Sequence, residues 1–145
     1  MEPEIVNVKE TDVLSRSVRT NNKNESDQAT AKIMPLWMKA FEDGFCTGEQ
    51  VSYGIYHNYE SDVNGDYDVS VAVESAVEGN QDMQIESGEY LKFTFIGEMP
   101  QVVIDGWRTV WEYFETVKKH QRKYGTDFEK YVPGNQGVEI YISIL

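Results

Sequence analysis

The residues that could do chemistry stand out at the end of the chain, where an acid and a phenol alternate with aliphatic residues. The segment 137–145 reads GVEIYISIL. In an extended strand, Glu139 and Tyr141 fall on one face, and four branched aliphatic residues fall on the other. The aliphatic face predicts a core strand, internal or well paired in its sheet. The acid beside the phenol is therefore a candidate for binding or for acid–base chemistry.

Aromatic side chains could surround this carboxylate and form a binding site with it. Ring faces attract an organic cation, and a carboxylate neutralises it. We therefore predict a site for a cationic amphipathic molecule that holds Glu139 and Tyr141 together with Trp37, Tyr53, Tyr90, Phe93, Trp107 and Trp111. Taken singly, each aromatic residue is better interpreted as ordinary core. Glu139 could instead face solvent or pair with Lys or Arg across the sheet, and the residue pattern leaves both readings open.

Two other functions are compatible with the same residues. A hydrolase could use Glu139 as a general base on water, with Tyr141 or Tyr53 as the orienting donor, because an aromatic pocket raises the pKa of a carboxyl. An acidic protein-interaction module is the third reading, since 25 acidic and 13 basic residues give a net charge of −12. That charge argues against direct binding of nucleic acid.

Several other chemistries lack their sequence signals. Cys46 is the single cysteine, so no disulfide within the chain is expected, which favours the reducing cytoplasm. His57 and His120 lack metal-ligand spacing, and no cofactor-binding motif is present. We also expect no signal peptide and no membrane span, because no apolar run is long enough.

Elements that must position these residues follow from periodicity. A helix is predicted over 29–44, with a kink or a broken first turn at Pro35. A hairpin is predicted from strands 51–59 and 67–74. The strongest amphipathic pattern predicts a helix from Pro100 to about Lys119.

The order of these elements predicts the fold class. Residues 83–95 read as a strand pair or a bulged strand bent at Gly88, and 127–131 as a short extended segment. The chain then forms a single domain, 1–145, from two β-α-β-β repeats at about 1–80 and 81–145. We predict an α+β fold with one curved antiparallel sheet, two main helices and a ligand cleft between the halves.

Five segments in this order carry a family resemblance. They are Tyr53–Asp62 with Gly65–Val69, Ile85–Phe93, Ile104–Phe114, Asp127–Tyr131 and Glu139–Ile142. Together they resemble the GyrI-like small-molecule-binding domains, which are also the effector-binding domains of AraC-type regulators. Glu86 stands where that family has proline. The likeness runs from about Val13 to the end and is greatest to stand-alone and integron cassette members.

The resemblance implies a function as well as a fold. It implies that the acid at Glu139 faces a cleft between the halves and pairs with cationic, lipophilic compounds. It also implies non-enzymatic binding related to transcription regulation. The chain has no room for a helix-turn-helix domain, so such a protein acts alone or through a protein partner. A homodimer stays open.

Overall fold

The computed structural model describes residues 3–61, 64–74, 82–117 and 119–145. Asp62, the last residue of one motif above, and Lys118 lie outside them. The described elements are β1 (Glu4–Val8), β2 (Thr11–Thr20), α1 (Asn22–Glu25), α2 (Ile33–Glu42), β3 (Ser52–His57), β4 (Tyr67–Glu74), β5 (Met83–Ile85), β6 (Gly88–Ile96), α3 (Gln101–Thr116), β7 (Asp127–Tyr131) and β8 (Gly137–Ser143).

All described strands join one antiparallel sheet in the order β1-β6-β8-β7-β3-β4-β2-β5. Strands β1–β4 belong to the first repeat and β5–β8 to the second. If each strand is replaced by its counterpart in the other repeat, the order is simply reversed, with β3 and β7 paired at the centre. The first strand of each repeat pairs with a strand of the other repeat: β1 pairs with β6, and β5 pairs with β2. The predicted α+β fold is confirmed, and β8 is internal as expected.

The sheet curls into a half-barrel because of its connectivity. Only Lys9 and Glu10 join β1, at one edge, to β2, six places along the sheet. A flat sheet would separate those strands by roughly 29 Å at the usual strand spacing. A two-residue link spans only about 10 Å. The edges must therefore curve toward one another, which gives the sheet two unlike faces.

One face of the sheet carries its own core, and the other carries the helices. The first core is built from Val13, Tyr53, Ile55, Ala72, Ile85, Tyr90, Phe128 and Tyr141. On the other face, α3 packs over β6 and β8, and α2 packs over β2 and β4. The aliphatic side of β8 lies under α3, as Ile140 and Ile142 share a cluster with Val110. The two central strands are left between the helices.

Helix α2 begins later than the sequence pattern predicts. It starts at Ile33, so Pro35 stands in its first turn, where the missing N–H would have no intrahelical partner. The chain before it forms the short α1, whose cap Asn21 accepts from the Asn24 amide at 2.8 Å. Gly44 follows α2 with φ +82°, as expected for a residue just past a helix end.

Candidate functional site

A cleft of about 1400 Å³ opens between α2 and α3 on the helix face of the sheet. Its floor is formed by β3 and β7, which neither helix covers. Its walls are apolar and contain Met34, Trp37, Met38 and Phe41 from α2, and Met99, Val103, Ile104, Trp107 and Trp111 on or beside α3. Several of these walls stay exposed to solvent, as Met38 does at 63%. Such a concave apolar space is where a small molecule binds.

A single carboxylate lies buried in the floor of this cleft. Glu129 on β7 is only 2% exposed. Its Oε2 accepts from the Tyr56 hydroxyl at 2.7 Å and from Trp107 Nε1 at 2.5 Å. Its Oε1 accepts from the Tyr131 hydroxyl at 2.6 Å. Among the residues that the structure describes, Glu129 forms no ion pair.

Burial and hydrogen bonding act on this carboxyl in opposite directions. Burial raises the pKa of Glu129, while the hydrogen bonds from Tyr131, Tyr56 and Trp107 lower it, and burial has the larger effect. The three donors stabilise the charged form without neutralising it. The arrangement can therefore accept a positive charge, which none of the described residues supplies to this carboxylate through an ion pair.

Local sequence explains how Glu129 reaches the cleft. On β7, Glu129 and Tyr131 alternate with Phe128 and Lys130, so the first pair points to the helices. Gly54 on β3 pairs directly with Glu129. A Cβ atom at Gly54 would lie 2.7 Å from Glu129 Oε1 and 3.2 Å from the Trp37 ring. The glycine therefore gives the carboxylate its space.

Two tryptophan–tyrosine pairs surround the carboxylate with approximate twofold symmetry. Tyr56 lies two residues after Gly54, and Tyr131 two residues after Glu129. The Tyr56 ring lies 4.9 Å from Trp107, and the Tyr131 ring lies 5.3 Å from Trp37, between centroids. Because ring faces attract cations, this arrangement suits a lipophilic organic cation.

The three tryptophans are the predicted site residues that the structure places in this cleft. Trp37, Trp107 and Trp111 all line it. The other predicted aromatic residues belong to the two cores: Tyr53, Tyr90 and Tyr141 to the core away from the helices, and Phe93 to the core beneath α3. These four residues are therefore ordinary core residues, which was the alternative interpretation.

Glu139 does not face the cleft, which corrects the central residue of the predicted site. It lies on the opposite face of the sheet, 3.2 Å from Lys92 Nζ, and accepts from the Tyr141 hydroxyl at 3.0 Å. The cause is the packing of β8: its aliphatic face meets α3, so Glu139 must point away from the helices and their tryptophans. The structure thus shows the alternative interpretation of Glu139, in which it pairs with a lysine across the sheet.

The hydrolase arrangement is not assembled in the cleft either. Glu139 lines a separate cavity of about 290 Å³ under the β7–β8 turn. Tyr53, a predicted donor for that reaction, instead donates its hydroxyl to Glu74 at 2.6 Å.

Sequence reasoning missed Glu129, Tyr56 and Tyr131, although a signal for them existed. Glu129 and Tyr131 alternate within the segment 127–131, which the sequence predicts as extended, and both belong to a motif of the resemblance. The short length of that segment gave no indication that it forms the centre of the sheet.

The described parts of the chain contain neither a candidate metal site nor a candidate membrane-spanning helix. No group of three or more His, Cys, Asp or Glu residues there could hold a metal ion. Within the same residues, no helix is both long enough and apolar enough to cross a bilayer.

Comparisons with known proteins identify relatives that share this fold. The chain is 38% identical to the integron cassette protein VCH_CASS2 from the mobile metagenome of Vibrio cholerae, with a TM-score of 0.87 over 99% of this chain and 96% of that one. It is 31% identical to YobU of Bacillus subtilis strain 168, a candidate transcriptional regulator, over 88% of both chains.

A more distant structure shares the fold. SAV2435, solved with bound tetraphenylphosphonium, is 17% identical with a TM-score of 0.78, and the match covers 100% of this chain and 94% of that one. The sequence profile of integron-associated effector binding proteins, named Cass2, matches residues 4–144. This chain belongs to that family of integron-associated effector binding proteins.

Proposed function

We propose that this protein binds lipophilic organic cations in the cleft between α2 and α3, with Glu129 as the counter-ion. The observation that carries the proposal is a carboxylate, 2% exposed, under two tryptophan–tyrosine pairs and with no ion-pair partner in the part of the chain that the structure describes. Glu129 thus takes the role that the sequence resemblance suggested for Glu139.

Charge and desolvation together would select such ligands. The attraction between two charges grows as water is excluded, so a cation that displaces water from the floor is held more strongly than one at the surface. A small, strongly hydrated cation gains less, because the apolar walls cannot replace its water shell. A bulky cation with its charge surrounded by aromatic or alkyl groups meets both requirements.

The family and the fold support this choice of ligand. Proteins of this family are named for binding an effector. SAV2435, which shares the fold, binds tetraphenylphosphonium, a bulky aromatic cation. We propose binding without turnover, since a cation held by charge and ring faces needs no bond to be broken.

The substitution Glu129→Gln tests the counter-ion directly. Glutamine keeps the shape, and its amide oxygen can accept from Tyr56 and Trp107 while its NH₂ donates to the Tyr131 hydroxyl. We expect tetraphenylphosphonium to bind the variant at least thirtyfold more weakly by calorimetry, about 2 kcal/mol for a buried charge pair. Tetraphenylborate, an anion of the same shape, should not bind the wild-type protein measurably.

Glu139→Gln is the matched control. It removes one carboxylate with the same change of net charge, but on the opposite face of the sheet. We expect its affinity for tetraphenylphosphonium to equal that of the wild-type protein. Equal binding to wild type and Glu129→Gln would contradict the proposal, as would a loss confined to Glu139→Gln.

A further inference from the structure

A second carboxylate lines the same cleft at the end formed by α1. Glu25 contributes to that end together with Asn22, Ala31 and Ile33. Its two oxygens accept from the amides of Lys32 at 2.9 Å and Ile33 at 3.1 Å. In the parts of the chain that the structure describes, Glu25 forms no ion pair. Its negative charge is therefore oriented but not balanced.

An aromatic wall connects this carboxylate to Glu129. The Tyr67 hydroxyl donates to Asn22 Oδ1 at 2.6 Å, and Asn22 opens the same short helix that Glu25 closes. The Tyr67 ring lies 5.9 Å from that of Tyr56, which donates to Glu129. Burial, Glu25 and Glu129 all raise the pKa of Tyr67, so both carboxylates act on this phenol. Tyr67 thus contacts α1, which carries Glu25, through its hydroxyl, and contacts Tyr56, a donor to Glu129, through its ring.

The basic side chains that line the cleft do not cancel these charges. They are Arg108, which is exposed and lies 3.7 Å from Asp105, and Arg122, which is buried and lies 2.8 Å from Asp127. Each arginine forms an ion pair with an aspartate and not with Glu25 or Glu129. Among the described residues that line the cleft, Glu129 in the floor and Glu25 at the α1 end therefore keep carboxylates without an ion pair, and the exposed Glu42 adds a third.

The size of the cleft fits a long ligand. Its volume of about 1400 Å³ exceeds the roughly 300–1000 Å³ that is usual for a site holding one drug-sized molecule. A compact monocation on Glu129 would leave the end near Glu25 unfilled. An elongated molecule would reach it along the rings of Tyr56 and Tyr67.

We propose that the preferred ligands are dications in which an apolar linker joins two organic cationic groups, one at Glu129 and the other at Glu25. This inference rests on the proposed function, because it takes Glu129 as the first cation site. A second charge entering an apolar cleft without a counter-ion would weaken binding. Beside Glu25 it instead gains an ion pair, at no further cost in overall rotation and translation.

Two compounds that differ by one charge test the proposal on the wild-type protein. One joins two quinolinium rings through a polymethylene linker, and the other replaces one quinolinium with a naphthyl ring of the same shape. We expect the dication to bind about fivefold more tightly by calorimetry at the best linker length, the gain from one partly exposed ion pair. Stoichiometry should be one ligand per chain.

Glu25→Gln should remove the preference for the dication and leave the affinity of the naphthyl compound unchanged. Glu42→Gln is the matched control, because Glu42 also lines the cleft but is exposed. It should keep the preference. The wild-type comparison stands without any substitution, so it decides the matter even if Glu25→Gln disturbs the start of α2.

The results separate this inference from the proposed function. If the naphthyl compound binds as tightly as the dication at every linker length, the preference for dications is contradicted while monocation binding on Glu129 stands. If neither compound binds, the proposed function itself fails. Retention of the preference in Glu25→Gln would show that another group holds the second charge, and would also overturn the inference.

Discussion

At the scale of single residues, the binding account depends on the charge state of Glu129. Burial favours the neutral acid, and the donors Tyr56, Tyr131 and Trp107 favour the carboxylate. The result is a pKa above the usual value, so this acid takes up a proton at a higher pH than a surface glutamate does. Burial raises the pKa values of Tyr56 and Tyr131 far from neutrality, so these phenols do not titrate beside it.

Binding of a permanent cation should therefore depend on pH. Protonated Glu129 is neutral, so affinity for tetraphenylphosphonium should fall as the pH is lowered through the raised pKa. Below that pKa in the free protein, the loss should approach about tenfold per pH unit. By linkage, cation binding in this range should release a proton, which calorimetry in buffers of different ionisation enthalpy would detect.

Glu129→Gln is the reference for this pH profile. Its weaker binding should be nearly constant over the range in which wild-type affinity changes, because tetraphenylphosphonium does not titrate. Parallel pH profiles for the two proteins would assign the effect to another group.

Residue patterns predicted the tryptophans of the site but not its acid. Helical periodicity places Trp37 and Trp107 on apolar faces, and such faces must meet the sheet. The alternation in β8 correctly separates Glu139 from its aliphatic neighbours. It also implies that Glu139 points away from the helices, and this consequence was missed when the acid was grouped with the tryptophans.

At the scale of elements, the site depends on the pairing of β3 with β7 at the centre of the sheet. Gly54 and Glu129 face each other across this pair, and a tyrosine follows each of them two residues later. The approximate symmetry is broken at one position, where one strand has an acid and the other has glycine. The aromatic surroundings exist on both sides, but the charge exists on one.

Exchanging the two central residues tests whether the aromatic surroundings can serve either strand. The double variant Gly54→Glu/Glu129→Gly moves the carboxylate to β3, where Tyr131, Tyr56 and Trp37 should take the equivalent positions. We expect it to bind tetraphenylphosphonium roughly tenfold more tightly than Glu129→Gly alone, about 1.4 kcal/mol.

The single variants are the controls for this exchange. Gly54→Glu alone should lower the melting temperature, since its Cβ would approach Glu129 Oε1 and place two carboxylates together. If the double variant binds no better than Glu129→Gly, the two strands are not interchangeable as carriers of the charge.

Element boundaries were predictable to the extent that local signals were strong. The hairpin of β3 and β4 and helix α3 follow their sequence patterns closely. The start of α2 does not, because the apolar spacing begins before Pro35, whereas a helix places proline most easily in its first turn. The segment before it folds as α1 instead.

At the scale of the whole molecule, fold class was accessible from the order of elements, but strand order was not. The exchange of β1 and β5 between repeats involves pairings between residues far apart in sequence, such as Val6 with Tyr90. Local periodicity carries no information on such pairings. The same topology brings β3 and β7 together, so the position of the site could not be read from the sequence pattern.

A crystal structure of this protein with tetraphenylphosphonium is the most direct test of cation binding in the cleft. The account predicts the phosphonium centre over the Glu129 carboxylate, with phenyl groups against Trp37, Trp107, Tyr56 and Tyr131. A ligand bound elsewhere, for example beside Glu139 on the opposite face of the sheet, would contradict it.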